Sequence, residues 1–473
     1  MAVHSVGFFA FAAVVLLLHY TAFRKQQNLL LLLASYGFYS SLSAEFAVVL
    51  AVMTAANFAC ALRIERSPRQ GRSWLWAGIA FNITALVWFK AGHHFLPGIL
   101  ALFSRLGLPA VSPGMRIILP VGFSFYVLQA LSYLVDVRRR QLPACTRPVD
   151  FALYLGYFPK LTAGPIERAR KFLPQLAAPR RALQIDLARS VGLIAFGLLR
   201  KFVIADPLLR AVPATAFQAP GEVSPLALAA WLAAYAVGVY NDFCGYTDLV
   251  RGVSGLFAID LSRNFNLPFF SRNFTELWNR WHMTLCFWLR DYVYFPISRA
   301  LVRRGTRLSQ GLNLILPAMA ATLASGLWHG CNVKFIAWGV LMGLLLVAER
   351  LAALGRPLRP VTAVPAWQKS LSVLKLWALA GLLALFSAAE PGPALEFLSR
   401  LFSSAPWHWP DSRVFLLVLP SAWLDFRQLR TGDELFFLRY PPLRRAAFLA
   451  LAGWAIFLFS RSGIPAPFVY QGF

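Results

Sequence analysis

The sequence predicts an all-α, polytopic membrane protein, and three observations carry that reading. Apolar residues make up 58% of the 473-residue chain and charged residues only 14%, with a mean hydropathy of +0.58; a soluble domain carries about 25% charge. The apolar residues fall in runs of about 20, the length an α-helix needs to cross a hydrocarbon core. Short arginine-rich loops separate the runs. Forty Phe and 15 Trp fit the same picture, because aromatic rings suit both cores and bilayer interfaces.

Taken in order, the runs give about 10–11 candidate spans. Residues 6–23 form the first, stopping at Arg24-Lys25. No basic stretch precedes it and no small-residue cleavage site follows, so it is expected to be a retained span rather than a signal peptide. Residues 29–62 are too long for one helix and break near Ser40-Ser41-Leu42-Ser43 into two, ending at Arg63, Arg66, Arg69 and Arg72. Two spans between two basic loops return the chain to one side, which the positive-inside pattern makes cytoplasmic. Residues 74–90 cross again, putting His93-His94 on the far side, and 117–137 come back to Arg138-Arg139-Arg140.

Residues 151–165 are apolar but short and contain Pro159, Gly164 and Pro165. They read as a re-entrant or interfacial piece, tolerated at depth only where protein or water covers the backbone. Residues 168–189 are basic with scattered leucines and predict an amphipathic helix along the cytoplasmic surface. Residues 191–205 and 226–240 are apolar again, followed by Asp242 and Asp248 in a membrane-flanked position. The arginines from Arg263 to Arg307 stop 263–308 from spanning. Residues 311–328 leave this side and 333–348 return; 371–389, a piece near 414–424, and 446–460 complete the set. With no tandem repeat or disordered linker, 1–473 is expected to form one domain: N-terminal spans in 1–116, a motif-bearing core in 117–350 and C-terminal spans in 351–473.

Charge and cysteine content remove several function classes. The chain has 46 basic and 20 acidic residues, formally +26. In a soluble protein that balance would point to nucleic acid; here it sits in loops between spans, so no nucleic-acid partner is expected. Cys60, Cys145, Cys244, Cys286 and Cys331 form no CxxC and no ligand-like spacing, so neither a metal nor a disulfide framework is expected. A phosphate-binding glycine loop, a GxSxG elbow and an HExxH motif are all missing from the sequence.

The chemistry concentrates between Asn264 and Gly330. It contains two of the seven histidines, His282 and His329, 47 positions apart, and ionisable groups near membrane depth mark functional sites. On one helix, Trp278, Trp281, Leu285, Trp288 and Tyr292 recur at intervals of 3, 4, 3 and 4, predicting a stripe that lies in the interface plane. Arg280 and Arg290 fall off the stripe and His282 beside it. An interfacial histidine satisfied by a carbonyl is the plainer reading of His282. His329 ends a small-residue run in which Gly326 and Gly330 form a GxxxG, a signal for close helix approach. A tightly packed apolar setting keeps an imidazole neutral, as a general base must be; a packing histidine is the alternative. Asp242 and Asp248 would orient a histidine or pair with arginines, and pairing is the simpler role. Cys331 beside His329 is weak support for a Cys–His nucleophile.

Several motifs then resemble one family. Trp278-Asn-Arg-Trp-His282-Met-Thr-Leu, Trp288-Leu-Arg-Asp-Tyr292 and Leu327-Trp-His329-Gly are similar to the signature of the membrane-bound O-acyltransferase (MBOAT) family. Leu119-Pro-Val-Gly-Phe-Ser-Phe-Tyr126, Ser132-Tyr-Leu-Val-Asp136, Phe158-Pro-Lys-Leu-Thr-Ala-Gly-Pro-Ile-Glu-Arg168, Asp242-Phe-Cys-Gly-Tyr-Thr-Asp248 and Asn264-Phe-Asn-Leu-Pro-Phe269 extend the resemblance in order across 117–345. Within the family it resembles the bacterial branch, whose members O-acetylate polysaccharides such as alginate or transfer D-alanyl groups to teichoic acid.

The resemblance implies a ring of tilted transmembrane helices around a thinned centre, with interfacial and re-entrant helices. It implies His329 as the catalytic histidine and His282 as a second active-site histidine. Asn279, Trp328, Asp242, Arg290 and Asp291 would have supporting roles. Tyr470 would be a tail contact, although this chain ends Val-Tyr-Gln-Gly-Phe where relatives tend to end Ile-Tyr-Phe-Gln-Phe. The implied donor is acetyl-coenzyme A or an acyl-carrier-protein thioester, with no tightly bound cofactor. The implied setting is the bacterial cytoplasmic (inner) membrane, with lipid around the spans, a polysaccharide acceptor and a periplasmic or extracellular SGNH-type acyltransferase partner. The basic inner face would itself draw an anionic carrier. D-alanyl transfer is the alternative within the enzyme class; a small-anion transporter and a non-enzymatic export factor are the alternatives outside it.

Overall fold

A computed structural model describes residues 2–67, 69–105, 117–213, 215–354, 365–406, 408 and 413–461, and their regular structure is helical. Tyr470 lies outside the described residues. Among the described residues, seven helices are long and apolar enough to cross a membrane, judged by length and composition: Ala44–Arg66, Gly71–His93, Pro225–Leu256, Arg307–His329, Val333–Ala353, Trp367–Ala388 and Pro442–Ser460. The first expected span is a shorter apolar helix, Val6–Tyr20. The described chain groups into two compact units, 1–190 with 253–262, and 191–252 with 263–473.

The first unit holds α1 (Val6–Tyr20), α2 (Gln27–Ser40), α3 (Ala44–Arg66), α4 (Gly71–Arg105), α5 (Phe123–Arg138), α6 (Pro148–Gly156), α7 (Phe158–Leu161) and α8 (Ala169–Ala177). The break expected at 40–43 is present: α2 ends at Ser40 and the Ser43 side chain caps α3 by accepting from Glu45 N–H at 3.2 Å. Buried Asn57 and Asn82 cross-link α3 and α4 through paired amides at 2.7 and 3.2 Å. Helix α5, expected as a span, is only 16 residues long and is buried on every face.

The 151–165 piece folds as α6, α7 and their connections, with protein covering its backbone, which is the condition for irregular chain at depth. Fully buried Lys160 holds it by donating to Gln129 Oε1 at 2.5 Å and to Tyr154 O at 2.6 Å. Glu167, also buried, accepts from Ser262 N–H and from Ser262 Oγ at 3.0 Å. The single amphipathic helix expected over 168–189 does not form. Helix α8 stops at Ala177, with Ala178 extended ahead of Pro179, because a residue preceding proline disfavours the helical region. Arg180 is then buried, its guanidinium donating to Asn28 Oδ1 at 2.6 Å.

The second unit contains most of α9 (Leu187–Leu198), then α10 (Asp206–Ala211), α11 (Thr215–Gln218), α12 (Pro225–Leu256), α13 (Phe274–Trp278), α14 (Met283–Leu289), α15 (Phe295–Arg304), α16 (Arg307–His329), α17 (Val333–Ala353), α18 (Ala366–Ala388), α19 (Pro391–Leu401), α20 (Arg413–Thr431) and α21 (Pro442–Ser460). Residues 199–205 widen into π turns between α9 and α10, a feature frequent at functional sites. That stretch carries buried Arg200, bonded to Asn241 Oδ1 at 2.8 Å and Asp425 Oδ1 at 2.7 Å. It also carries Lys201, paired with Asp206 at 2.9 Å and Asp242 at 2.7 Å.

Helices α16 and α17 form a tight hairpin. Thr306 caps the first by accepting from Ser309 N–H, and Asn332 caps the second by accepting from Phe335 N–H. A Cβ added at Gly326 would fall on Phe335 O, and one at Gly339 would come within 2.8 Å of Thr322 O. The small residues expected to let a helix approach therefore do so.

Candidate active site

The stripe expected on one helix over 278–292 is cut into three pieces. Helix α13 ends at Trp278, α14 begins at Met283, and residues 290–294 widen into a π turn before α15. The cut falls at His282, whose φ of 40° and ψ of 52° lie in the left-handed region. That conformation is uncommon for a non-glycine residue and persists only where surrounding contacts impose it. The carbonyl of Asn264 takes Met283 N–H at 2.8 Å, and Asn266 N–H donates to Arg280 O at 2.9 Å. A continuous helix through 278–292 would forfeit both bonds. Trp278 and Trp281 thus leave the common face and border a space, while Trp288 packs against Tyr292 at 5.1 Å.

That space is a cavity of about 530 Å³ within the second unit. Trp278, Trp281, Phe269, Trp338 and Trp377 contribute to its mainly apolar wall, and His282 and His329 both open onto it. Trp377 satisfies its indole N–H by donating to Phe269 O at 2.6 Å, as a ring at an apolar wall must.

His282 is 2% exposed and meets Phe243 edge-on at 4.7 Å. Buried Trp328 packs against both imidazoles, its ring 5.8 Å from His282 and 4.9 Å from His329. His329, the last residue of α16, is further walled by Phe335 at 5.7 Å and Trp338 at 5.5 Å. Burial holds the His282 imidazolium well below the usual histidine range, and charge on His329 acts in the same direction. Protonating one ring opposes protonating the other, so the pair favours at least one neutral imidazole.

The remaining candidates are more dispersed. Asp242 is buried beneath Lys201; Asp248 pairs with Arg251 at 3.1 Å. Arg290 and Asp291 pair with each other at 3.1 Å, with the guanidinium 4.6 Å above Phe287. Asn279 is exposed and donates to Thr275 O at 2.9 Å, at the end of α13. Cys331 is exposed. The cavity lining includes none of these six residues. Phe243, Trp338 and Trp377 escape sequence reasoning, since lone rings in apolar helices carry no local signal. Asn264 is legible there only as part of a motif.

His282 and His329 open onto one apolar cavity of the second unit, in a chain whose described residues include seven helices long and apolar enough to cross a bilayer; that is a multi-pass membrane protein with two imidazoles at its candidate site. The sequence profile of the membrane-bound O-acyltransferase family matches residues 16–372. The chain is 33% identical over 416 residues to the probable alginate O-acetylase AlgI of Azotobacter vinelandii, covering 86% of this chain and 79% of that one. It is 30% identical over 356 residues to a peptidoglycan O-acetyltransferase of Helicobacter pylori, covering 68% and 64%. It is also 30% identical over 266 residues to a teichoic acid D-alanyltransferase of Streptococcus thermophilus, covering 55% and 63%. The chain belongs to the membrane-bound O-acyltransferase family and is an acyltransferase.

Proposed function

We propose that this chain moves an acetyl group from a cytoplasmic thioester across the membrane for O-acetylation of an exported polysaccharide such as alginate. The observation that carries the chemistry is the convergence of His282 and His329 on one cavity, with the Trp328 ring packed against both. The choice of acetyl and polysaccharide is supported by similarity to an alginate O-acetylase and a peptidoglycan O-acetyltransferase.

In this reading His329 takes the proton of an acceptor hydroxyl. The oxygen then attacks the thioester carbonyl, the C–S bond breaks, and the proton leaves with the departing thiolate, so atoms and charge balance. The nearby His282, held neutral by burial, orients donor or acceptor; such positioned proton transfer contributes about 10²–10⁴-fold. The donor is acetyl-coenzyme A or an acyl-carrier thioester, and an SGNH-type acyltransferase outside the membrane completes delivery to the polymer. The bacterial cytoplasmic membrane is the setting that fits this route.

The test is ester analysis of the exported polymer in a deletion strain complemented with wild type or with His329→Ala at equal protein level. Wild type restores O-acetyl esters and the variant does not; esters retained with His329→Ala would overturn the reading. D-alanyl esters lost in place of acetyl would select the second reading, favoured by the teichoic acid D-alanyltransferase relative. In inverted membrane vesicles, label transfer from radiolabelled acetyl-coenzyme A gives the rates.

A further inference from the structure

The strained turn at His282 is held by a residue from another segment. Helix α14 opens with His282 in the N-cap position, yet the His282 side chain makes no capping bond. N-cap side chains ordinarily accept from the first N–H groups of their helix, because those groups have no intrahelical partner. Here Asn264 supplies the acceptors. Its carbonyl takes Met283 N–H at 2.8 Å, and its Oδ1 takes Thr284 N–H at 3.3 Å and Thr284 Oγ1–H at 2.6 Å.

The Asn264 amide donates in turn to Thr247 Oγ1 at 3.4 Å. Thr247 lies one turn beyond Phe243 on α12, and Phe243 is the ring that meets His282 edge-on. Asn264 is completely buried. One side chain therefore ties the floor beneath His282 to the helix that carries it.

We propose that Asn264 is a positioning residue for acyl transfer: it caps α14 in place of His282, so that the imidazole is presented to the cavity. This rests on the role of His282 given under Proposed function. The geometry explains why asparagine suits the place. The position needs a short acceptor toward Thr284 and a donor toward Thr247, and the amide supplies both without burying a charge.

The experiment measures acetyl transfer in vesicles, at matched protein level and melting temperature, for Asn264→Ala, Asn264→Asp, Thr284→Val, Thr284→Ser and His282→Ala. Asn264→Ala lowers kcat by roughly tenfold to a hundredfold, the scale of a misplaced reacting group, while KM for acetyl-coenzyme A stays within about twofold. Thr284→Val is impaired and Thr284→Ser, which keeps the hydroxyl, is restored. Asn264→Asp shifts the acidic limb of the pH–rate profile upward, because a carboxylate beside the turn favours the imidazolium. Combining Asn264→Ala with His282→Ala is no slower than His282→Ala alone, as expected if the first acts through the second.

An unchanged kcat in both Asn264→Ala and Thr284→Val, or additive losses in the double variant, overturns the proposal. Should Asn264→Ala fail to accumulate, the Thr284 pair decides it. Full activity in His282→Ala would remove the role of His282 and this proposal with it. An inactive His282→Ala beside an unimpaired Asn264→Ala removes the clamp alone.

Discussion

His282 carries the sharpest constraint at the scale of single residues: a buried imidazole on a left-handed turn, facing the same cavity as His329. Its folded-state pKa lies below the ordinary value of 6.5, so the neutral form persists as pH falls through that value. The contribution of His282 protonation to kcat/KM is accordingly expected below pH 6.5, measured as the part of the pH profile of label transfer from a thioester donor that His282→Ala removes. Lys160 offers a separate test of stability. Lys160→Met leaves Gln129 Oε1 and Tyr154 O buried without their donor, and each loss costs about 1–3 kcal/mol. A lowered melting temperature in detergent is the expected result. Both histidines were legible in the sequence, because ionisable groups are rare in such a chain. The Asn264 clamp was not legible, since its contacts join positions about 20 residues apart through a turn that no local pattern announces.

Among elements, the α16–α17 hairpin and the π-widened 199–205 stretch make the strongest commitments. Gly326→Leu or Gly339→Leu would drive a side chain into the facing backbone, an overpacking cost of about 1–3 kcal/mol or more. Because His329 ends α16 and Phe335 and Trp338 begin α17, loss of transfer should accompany the lower melting temperature. Lys201→Met strands Asp206 and Asp242 in a buried site, and breaking such a pair costs about 3–5 kcal/mol. Thermal melting checks it, with Lys201→Met plus Asp242→Asn expected to recover part of the loss. The close approach at Gly326 was legible from the small-residue run before His329, because small residues leave room for a facing backbone, whereas Gly330 falls beyond the helix end and Gly339 carried no signal. The 278–292 stripe misled, because helical periodicity in sequence cannot register a bond from Asn264 that breaks the helix at His282. The 168–189 segment misled for a simpler reason: Pro179 outweighed its amphipathic pattern.

For the whole molecule, the excess of 46 basic over 20 acidic residues predicts salt-sensitive capture of an anionic donor. The Debye length shrinks from about 10 Å at 0.1 M salt to about 3 Å at 1 M. With acetyl-coenzyme A as the proposed donor, its KM should therefore rise with ionic strength while kcat holds, as read from initial rates in vesicles. Composition also pointed to the membrane class, since 14% charge lies well below the roughly 25% of a soluble domain. The number of long spans was less legible. Helix α5 has span-like composition, but its 16 residues are solvated by protein on all sides, and hydropathy cannot distinguish lipid from an apolar interior.

By itself the sequence determined that this is a helical membrane protein of the O-acyltransferase family, and it named the two histidines, because composition and spaced motifs are properties of the chain. Only the tertiary structure decided that Trp328 packs against both of those rings, that Asn279, Arg290 and Asp291 are absent from the cavity lining, and that Asn264 holds the turn beneath His282. Those facts depend on hydrogen bonds and ring contacts between distant positions, and such bonds exist only once the chain has packed.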